Sequence, residues 1–193
     1  MRKLSDKLIG ILEINGDVSR EDREVYEYAL YGLGMLVING LTSILIGVVL
    51  KVPWYCVLFL SAMMPLRSDA GGYHASGAWK CYLLSCAMVT AALLWIKAEL
   101  SFQTVFTICM AVPSCYFIFR YAPLESENKP LDAEEKKIIG KRARVIVTVE
   151  MTAGLACFLV NEKAACAILS AIICCGAGYA GWFIQMKQKR VGM

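Results

Sequence analysis

The sequence predicts an all-α integral membrane protein with about six transmembrane helices. Of its 193 residues, 58% are hydrophobic and only 19% are charged, whereas soluble domains average roughly 45–50% and about 25%. A membrane-spanning helix needs roughly 20 apolar residues. Five apolar stretches approach or reach this length, at 29–50, 81–98, 102–121, 144–161 and 164–186. Such a composition excludes disordered chains, collagen and nucleic-acid binding by a basic surface.

The N-terminal segment, 1–24, is predicted to form an amphipathic helix at the membrane interface. Its apolar residues recur on one helix face, at Leu4, Leu8, Ile11 and Leu12. A surface helix packed on the rest of the protein fits the same pattern. Charged residues interrupt the apolar run and no small-residue cleavage site follows, so a signal peptide is not expected.

A shorter apolar segment, 52–66, contains Pro53 and Pro65. It is either a short or tilted sixth span or a re-entrant segment shielded by its neighbours. Six spans would place both termini on the same side of the membrane. We treat the whole chain, 1–193, as one membrane domain.

The basic residues predict the orientation of the chain. With both termini inside, 17 of the 20 lysines and arginines lie in inner segments, and only Lys51, Lys97 and Lys163 lie in outer turns. Inner loops of membrane proteins carry an excess of such residues, so we predict an N-in, C-in topology. The inner face then carries the N-terminal helix, a loop and helix start at 67–81, and a basic loop at 120–144.

The inner segment 67–81 holds the only histidine, His74, and a cysteine, Cys81, at the start of the next span. A cysteine nucleophile needs a base and an accessible sulfur. On a straight helix the two residues would be about 10.5 Å apart, so a direct contact requires a bend between them. Ser76 is a candidate N-cap for a helix that begins at Gly77, and the field of that helix would favour the thiolate. The alternative is a buried cysteine and an unrelated loop histidine.

Other residues of this segment have two or more interpretations. Gly71 and Gly72 allow positive φ or close backbone approach, or they form a plain turn. Arg67 and Asp69 either pair with each other or act separately. In the second case, Arg67 would hold a substrate carboxylate and Asp69 would orient the imidazole.

The other eight cysteines lie in apolar stretches, which indicates reduced thiols that pack as small hydrophobes. One histidine cannot supply a site with several histidine ligands, and no CxxC pattern indicates zinc. We therefore expect neither a metal nor another cofactor.

Two motifs on the predicted inner face resemble those of a known family. The first is Arg67-x4-Gly72-x-His74-x6-Cys81, with GGYHA at its centre, and the second is APLESENKPL at 122–131. Together they resemble the AgrB (accessory gene regulator protein B) family of bacterial membrane peptidases. The likeness in length, hydropathy and loop order extends over nearly the whole chain.

The resemblance implies a cysteine endopeptidase of quorum sensing in the bacterial cytoplasmic membrane, with its active site on the cytoplasmic side. It implies cleavage of the C-terminal part of an AgrD-type propeptide and closure of a cyclic thiolactone or lactone. By motif position, Cys81 would be the nucleophile and His74 the general base. Arg67 and Gly72, with Gly71 beside it, would support the loop, and Lys129 matches a basic position of the second motif.

The rival hypothesis is a non-enzymatic transporter or channel subunit in which 67–80 is a gate. It predicts polar residues spread through several spans, whereas in this sequence polar chemistry is concentrated in one inner loop. Of the polar residues within spans, we expect Asn39 to make an interhelical hydrogen bond and Glu150 to have a structural partner. Small residues in the last span, Gly176, Gly178 and Gly181, are compatible with a homodimer.

Overall fold

The computed structural model describes residues 23–71, 77–124 and 132–191, with side chains given except at 24, 28 and 184–191. Within these ranges the chain forms six α-helices and no strand. They are α1 (Arg23–Val49), α2 (Pro53–Ala70), α3 (Ala78–Lys97), α4 (Gln103–Tyr121), α5 (Ala133–Phe158) and α6 (Glu162–Val191). The all-α prediction is confirmed, whereas the N-terminal amphipathic helix predicted over 1–24 lies almost entirely outside the described residues.

Four of the described helices are long and apolar enough to cross a bilayer: Val25–Val49, Ala78–Lys97, Gln103–Tyr121 and Glu162–Phe183. The chain is thus a multi-pass membrane protein by the length and composition of its helices. Helix α2, with 18 residues, carries Arg67 and Asp69 near its end. Its length of about 27 Å falls just short of the roughly 30 Å of a bilayer core. Helix α5 begins with several charged residues.

The basic segment expected as a loop over 120–144 is helical for much of its length. Helix α4 continues to Tyr121, and α5 begins at Ala133, well before the apolar stretch at 144–161. A capping box explains this start, because Asp132 and Glu135 satisfy each other's backbone amides and Glu134 adds a favourable charge at the helix N-terminus. Only 122–132 therefore connects the two helices.

Helix α6 is the central helix of the bundle. It packs against α2, α4 and α5, and less extensively against α3, whereas α1 packs mainly on α3 and α2. In the most apolar part of α6, 61% of the residues are buried, compared with 11% in α1. Both hydrophobic clusters in the described structure use α2 and α6, the first together with α3 and the second together with α4 and α5.

Glycines permit the close approach of α6 to its neighbours. A Cβ atom at Gly176 would lie 2.6 Å from Cβ of Ser114 in α4. A Cβ atom at Gly154 of α5 would lie 2.7 Å from Cδ2 of Leu169. Gly176, which was expected as a dimer contact, is thus buried inside its own chain against α4, and it is not available to a second copy.

The helices alternate in direction, and their connections gather at two ends. At the turn end, which comprises the short connections 50–52, 98–102 and 159–161, Lys163 pairs with Glu99 and lowers the pKa of that carboxyl. Asn161 donates a hydrogen bond to Tyr55 there, at 3.5 Å. The loop end comprises the described ends of the two motif connections, which are Gly71 and Gly77 in the first and 122–124 and Asp132 in the second.

A cavity of about 270 Å³ opens at the turn end, away from the motif segments. Its polar lining is bonded within the chain: Thr104 donates to Glu162 at 3.1 Å, and the Gln103 amide donates to the backbone oxygen of Trp95.

Two buried oxygens differ from what the sequence led us to expect. Oδ1 of Asn39 and Oε2 of Glu150 have no hydrogen-bond partner among the described residues. The expectations of an interhelical bond at Asn39 and of a structural partner at Glu150 are therefore not met at these atoms. The sequence around Asn39 and Glu150 has no periodic pattern, so it could not identify which residues lie next to their side chains.

The packing of α6 predicts the outcome of two glycine substitutions. Gly176→Ala should destabilise the protein by about 1–3 kcal/mol, because its Cβ would overlap Ser114. Gly40→Ala in α1 is the matched control. No atom lies within 4 Å of its new Cβ, so helix propensity should raise stability by up to about 1 kcal/mol. Thermal unfolding in detergent measures both, and equal effects would contradict the close packing of α6.

Candidate active site

Cys81 lies in the first turn of α3 at the loop end. The helix begins at Ala78 with Gly77 as its N-cap, one residue later than expected, and Ser76 lies outside the described residues. The amide of Cys81 donates to the oxygen of Gly77 at 3.1 Å, which is the first hydrogen bond of the helix. The thiol is half-buried. A thiol in this position is near the positive end of the helix dipole, which favours the thiolate.

Gly71 ends α2 in a conformation that favours glycine. Its φ is +76°, and its amide donates to the oxygen of Arg67 at 3.2 Å. A Cβ atom here would lie 2.7 Å from the backbone oxygen of Leu124. Both uses expected of this residue, positive φ and close backbone approach, are therefore present at Gly71.

The remaining motif residues, His74, Gly72 and Lys129, lie outside the described residues. The bend between His74 and Cys81 thus stays a prediction. The described chain reaches the last residue before this segment, Gly71, and resumes at Gly77.

Asp69 has a partner that the sequence did not indicate. Its Oδ2 atom lies 3.3 Å from Nε of Arg142 on α5, and its side chain is only 10% exposed. Arg67 lies in the last turn of α2, and its backbone oxygen accepts a hydrogen bond from the amide of Gly71. Asp69 therefore connects the end of α2 to α5.

The two motif segments meet at the carbonyl of Ala70. The amide of Leu124, in the second motif, donates to this oxygen at 3.0 Å. The hydroxyl of Tyr179 on α6 donates to the same oxygen at 2.7 Å. Sequence reasoning missed Tyr179, because it is 109 residues from Ala70 and has no local pattern that marks it.

The second motif also rests on α5. A Cβ atom at Gly140 would lie 3.1 Å from the oxygen of Ala122 and from Cδ of Pro123. Arg144 donates from Nε to the oxygen of Phe119 at 3.2 Å. These contacts hold the basic first half of α5 beside the end of α4. The side chains of Lys137, Lys141 and Arg142 in this half are exposed.

All nine cysteines are free thiols, so none is part of a disulfide. Three of them, Cys56, Cys166 and Cys175, are buried in the hydrophobic clusters. Within the described ranges, no three His, Cys, Asp or Glu side chains are grouped closely enough to hold a metal ion.

Comparison with known proteins identifies the family. The profile of the AgrB family, Accessory gene regulator B, matches residues 2–186. This chain belongs to the AgrB family. Among curated members, it is 28% identical to AgrB-like protein 2 of Clostridium perfringens strain 13 over 131 residues, or 65% of the chain. It is 24% identical to accessory gene regulator protein B of Staphylococcus intermedius over 132 residues, which covers 66% of the chain and 68% of that protein.

The match spans 60% of the length of the clostridial relative. No solved structure matches the chain. Family membership agrees with the resemblance carried by the two motifs, which the structure brings together at Ala70.

The position of Cys81 predicts its reactivity relative to Cys86, a second half-buried thiol on the same helix. Near pH 7, iodoacetamide should alkylate Cys81 about tenfold faster, because the thiolate is the reactive form and the first turn of a helix favours it. Mass spectrometry of peptides from membranes after timed exposure gives both rates. Equal rates would contradict an activated Cys81.

Proposed function

We propose that this AgrB-family protein is a membrane-embedded cysteine endopeptidase that removes the C-terminal part of an AgrD-type propeptide. The observation that carries the proposal is the meeting of the two family motifs at the Ala70 carbonyl, at the same end of the bundle as Cys81. A peptidase of this kind needs a nucleophile and a substrate-binding surface side by side, and we assign these roles to Cys81 and to the second motif with the exposed cations of α5.

The roles follow the chemistry of each residue. The Cys81 thiolate attacks the scissile carbonyl and forms an acyl-enzyme thioester. His74 first takes the thiol proton and then gives it to the amine of the departing C-terminal fragment. Arg67, Gly71 and Gly72 shape the loop, and Lys129 contacts the propeptide.

Ring closure uses the thioester as its acyl donor. An internal thiol or hydroxyl of the propeptide attacks the carbonyl, and the Cys81 thiolate leaves and regains its proton. For a propeptide thiol this exchange is nearly isoenergetic, so hydrolysis must be suppressed for the ring to accumulate. The half-buried position of Cys81 within a lipid-surrounded bundle supports such exclusion of water.

The exposed cations of α5 offer a binding surface for an acidic segment of the propeptide. Lys136, Lys137, Lys141, Arg142 and Arg144 lie in its first half, close to the second motif. Clustered positive charge attracts an acidic peptide and raises its rate of encounter. Part of this charge also serves to orient the chain in the membrane.

We assign both termini and the loop end to the cytoplasmic side of a bacterial cell membrane, with all six helices crossing it. Two observations support this orientation. The loop end is flanked by the basic residues of α5, and the turn end has only Lys51, Lys97 and Lys163. The short turns at 50–52, 98–102 and 159–161 also suit outer connections.

Cleavage of a co-expressed AgrD-type propeptide with a C-terminal tag tests the peptidase. Cys81→Ala should abolish release of the tag, and His74→Ala should lower its rate by about 100-fold or more, because base catalysis contributes at least that much. Cys86→Ala is the matched control and should retain activity. Full cleavage by Cys81→Ala would contradict the peptidase proposal, and the transporter or channel hypothesis would then remain.

Labelling of introduced thiols tests the orientation. In intact cells, a membrane-impermeant maleimide should label Lys97→Cys above the background of the parent chain. It should label Lys137→Cys only after the membrane is permeabilised, since inner loops are shielded by the bilayer. The reverse pattern would exclude an active site on the cytoplasmic side.

A further inference from the structure

The backbone oxygen of Ala70 accepts two hydrogen bonds at the end of α2. The donors are the hydroxyl of Tyr179, at 2.7 Å, and the amide of Leu124, at 3.0 Å. Ala70 is fully buried and Tyr179 is 1% exposed. The last carbonyls of a helix lack partners within that helix, and in a buried setting they require donors from elsewhere.

These two donors come from different parts of the chain. Tyr179 lies on the central helix α6, and Leu124 lies in the second motif. Asp69, one residue before Ala70, is paired with Arg142 on α5. The end of α2 is therefore attached to three other elements immediately before the segment 72–76, which contains His74.

The hydroxyl of Tyr179 is the donor to Ala70 that a single substitution can remove. Removing it leaves the amide of Leu124 as a donor to Ala70, so the carbonyl keeps one partner and the fold should persist. The end of α2 would be less firmly held, however, because the remaining donor belongs to a connecting segment rather than to a packed helix. Catalytic groups must be held close to their productive geometry, and a displacement of about 1 Å can lower a rate by about 100-fold.

We propose that Tyr179 is a positioning residue of the peptidase, a role that rests on the function proposed above. Its hydroxyl holds Ala70, at the end of α2, against α6. The amide of Leu124, bonded to the same oxygen, joins this helix end to the second motif. The two bonds together fix the end of α2, from which the chain continues toward His74.

The test compares Tyr179→Phe with Tyr55→Phe. The control removes a tyrosine hydroxyl at the turn end, which accepts a hydrogen bond from Asn161 at 3.5 Å. Cleavage of the tagged AgrD-type propeptide should show about a tenfold lower kcat for Tyr179→Phe with KM nearly unchanged. Tyr55→Phe should match the parent protein in both constants.

Alkylation of Cys81 across a pH series provides a readout that needs no propeptide. In Tyr179→Phe the midpoint of the rate–pH profile should move to higher pH, because His74 no longer supports the thiolate as well. A purely structural role would reduce the amount of folded protein and leave this midpoint in place. An unchanged midpoint, or an equal shift in Tyr55→Phe, would overturn the proposal.

Gly71→Ala provides a second variant at the same junction. Its Cβ would lie 2.7 Å from the oxygen of Leu124 at a φ of +76°, so it should displace the motif segments and shift the midpoint in the same direction.

The peptidase proposal and the role of Tyr179 are contradicted by different results. Full cleavage by Cys81→Ala would refute the peptidase, whereas normal kcat and an unshifted profile in Tyr179→Phe would refute only the role of Tyr179.

Discussion

The close packing of α6 is the constraint on which the rest of the structure depends. In lipid, apolar helices gain little from avoiding water, so association relies on van der Waals contact and on small residues that let backbones approach. Gly176 and Gly154 provide such contacts, with Ser114 and Leu169 filling the space that a Cβ would take. Helix α6 can therefore contact α2, α4 and α5 together. Helix α1, by contrast, exposes most of its apolar surface.

This packing determines how the loop end is built. Non-helical backbone near a membrane must find hydrogen-bond partners within the protein. The Ala70 carbonyl finds them in Tyr179 and Leu124, and Gly71 accepts the close approach of the second motif. The end of α2 is thus held at a fixed place, because the backbone there is bonded on several sides.

The candidate site combines two environments that the proposed acyl-enzyme mechanism requires. Cys81 is half-buried at a helix N-terminus, where charge on sulfur is favoured and access of water is restricted. The exposed cations of α5 lie beside the second motif, where a charged peptide segment can bind from water. The cavity at the turn end lies outside this arrangement, and its polar groups are already paired within the chain.

Local patterns in the sequence were sufficient for the class of protein and for the six helices of the described residues, and they predict Cys81 as the nucleophile. Hydropathy and charge are properties of one segment at a time, so they predict helices without knowledge of which segments contact each other. They located the connections at 50–52, 98–102 and 159–161 to within a few residues. They were less successful for 120–144, where a capping box begins α5 early, and for Gly176, whose small size serves α4 rather than a second chain.

The sequence by itself determined that this protein is a helical membrane protein of the AgrB family with one histidine and one cysteine in its first motif. Only the tertiary structure decided that Asp69 pairs with Arg142 and that Tyr179 and Leu124 share the carbonyl of Ala70. The physical reason is that these partners lie far apart in the chain and follow no helical period. Their contacts arise from how α2, α5 and α6 pack, and packing depends on the shapes of all three helices together.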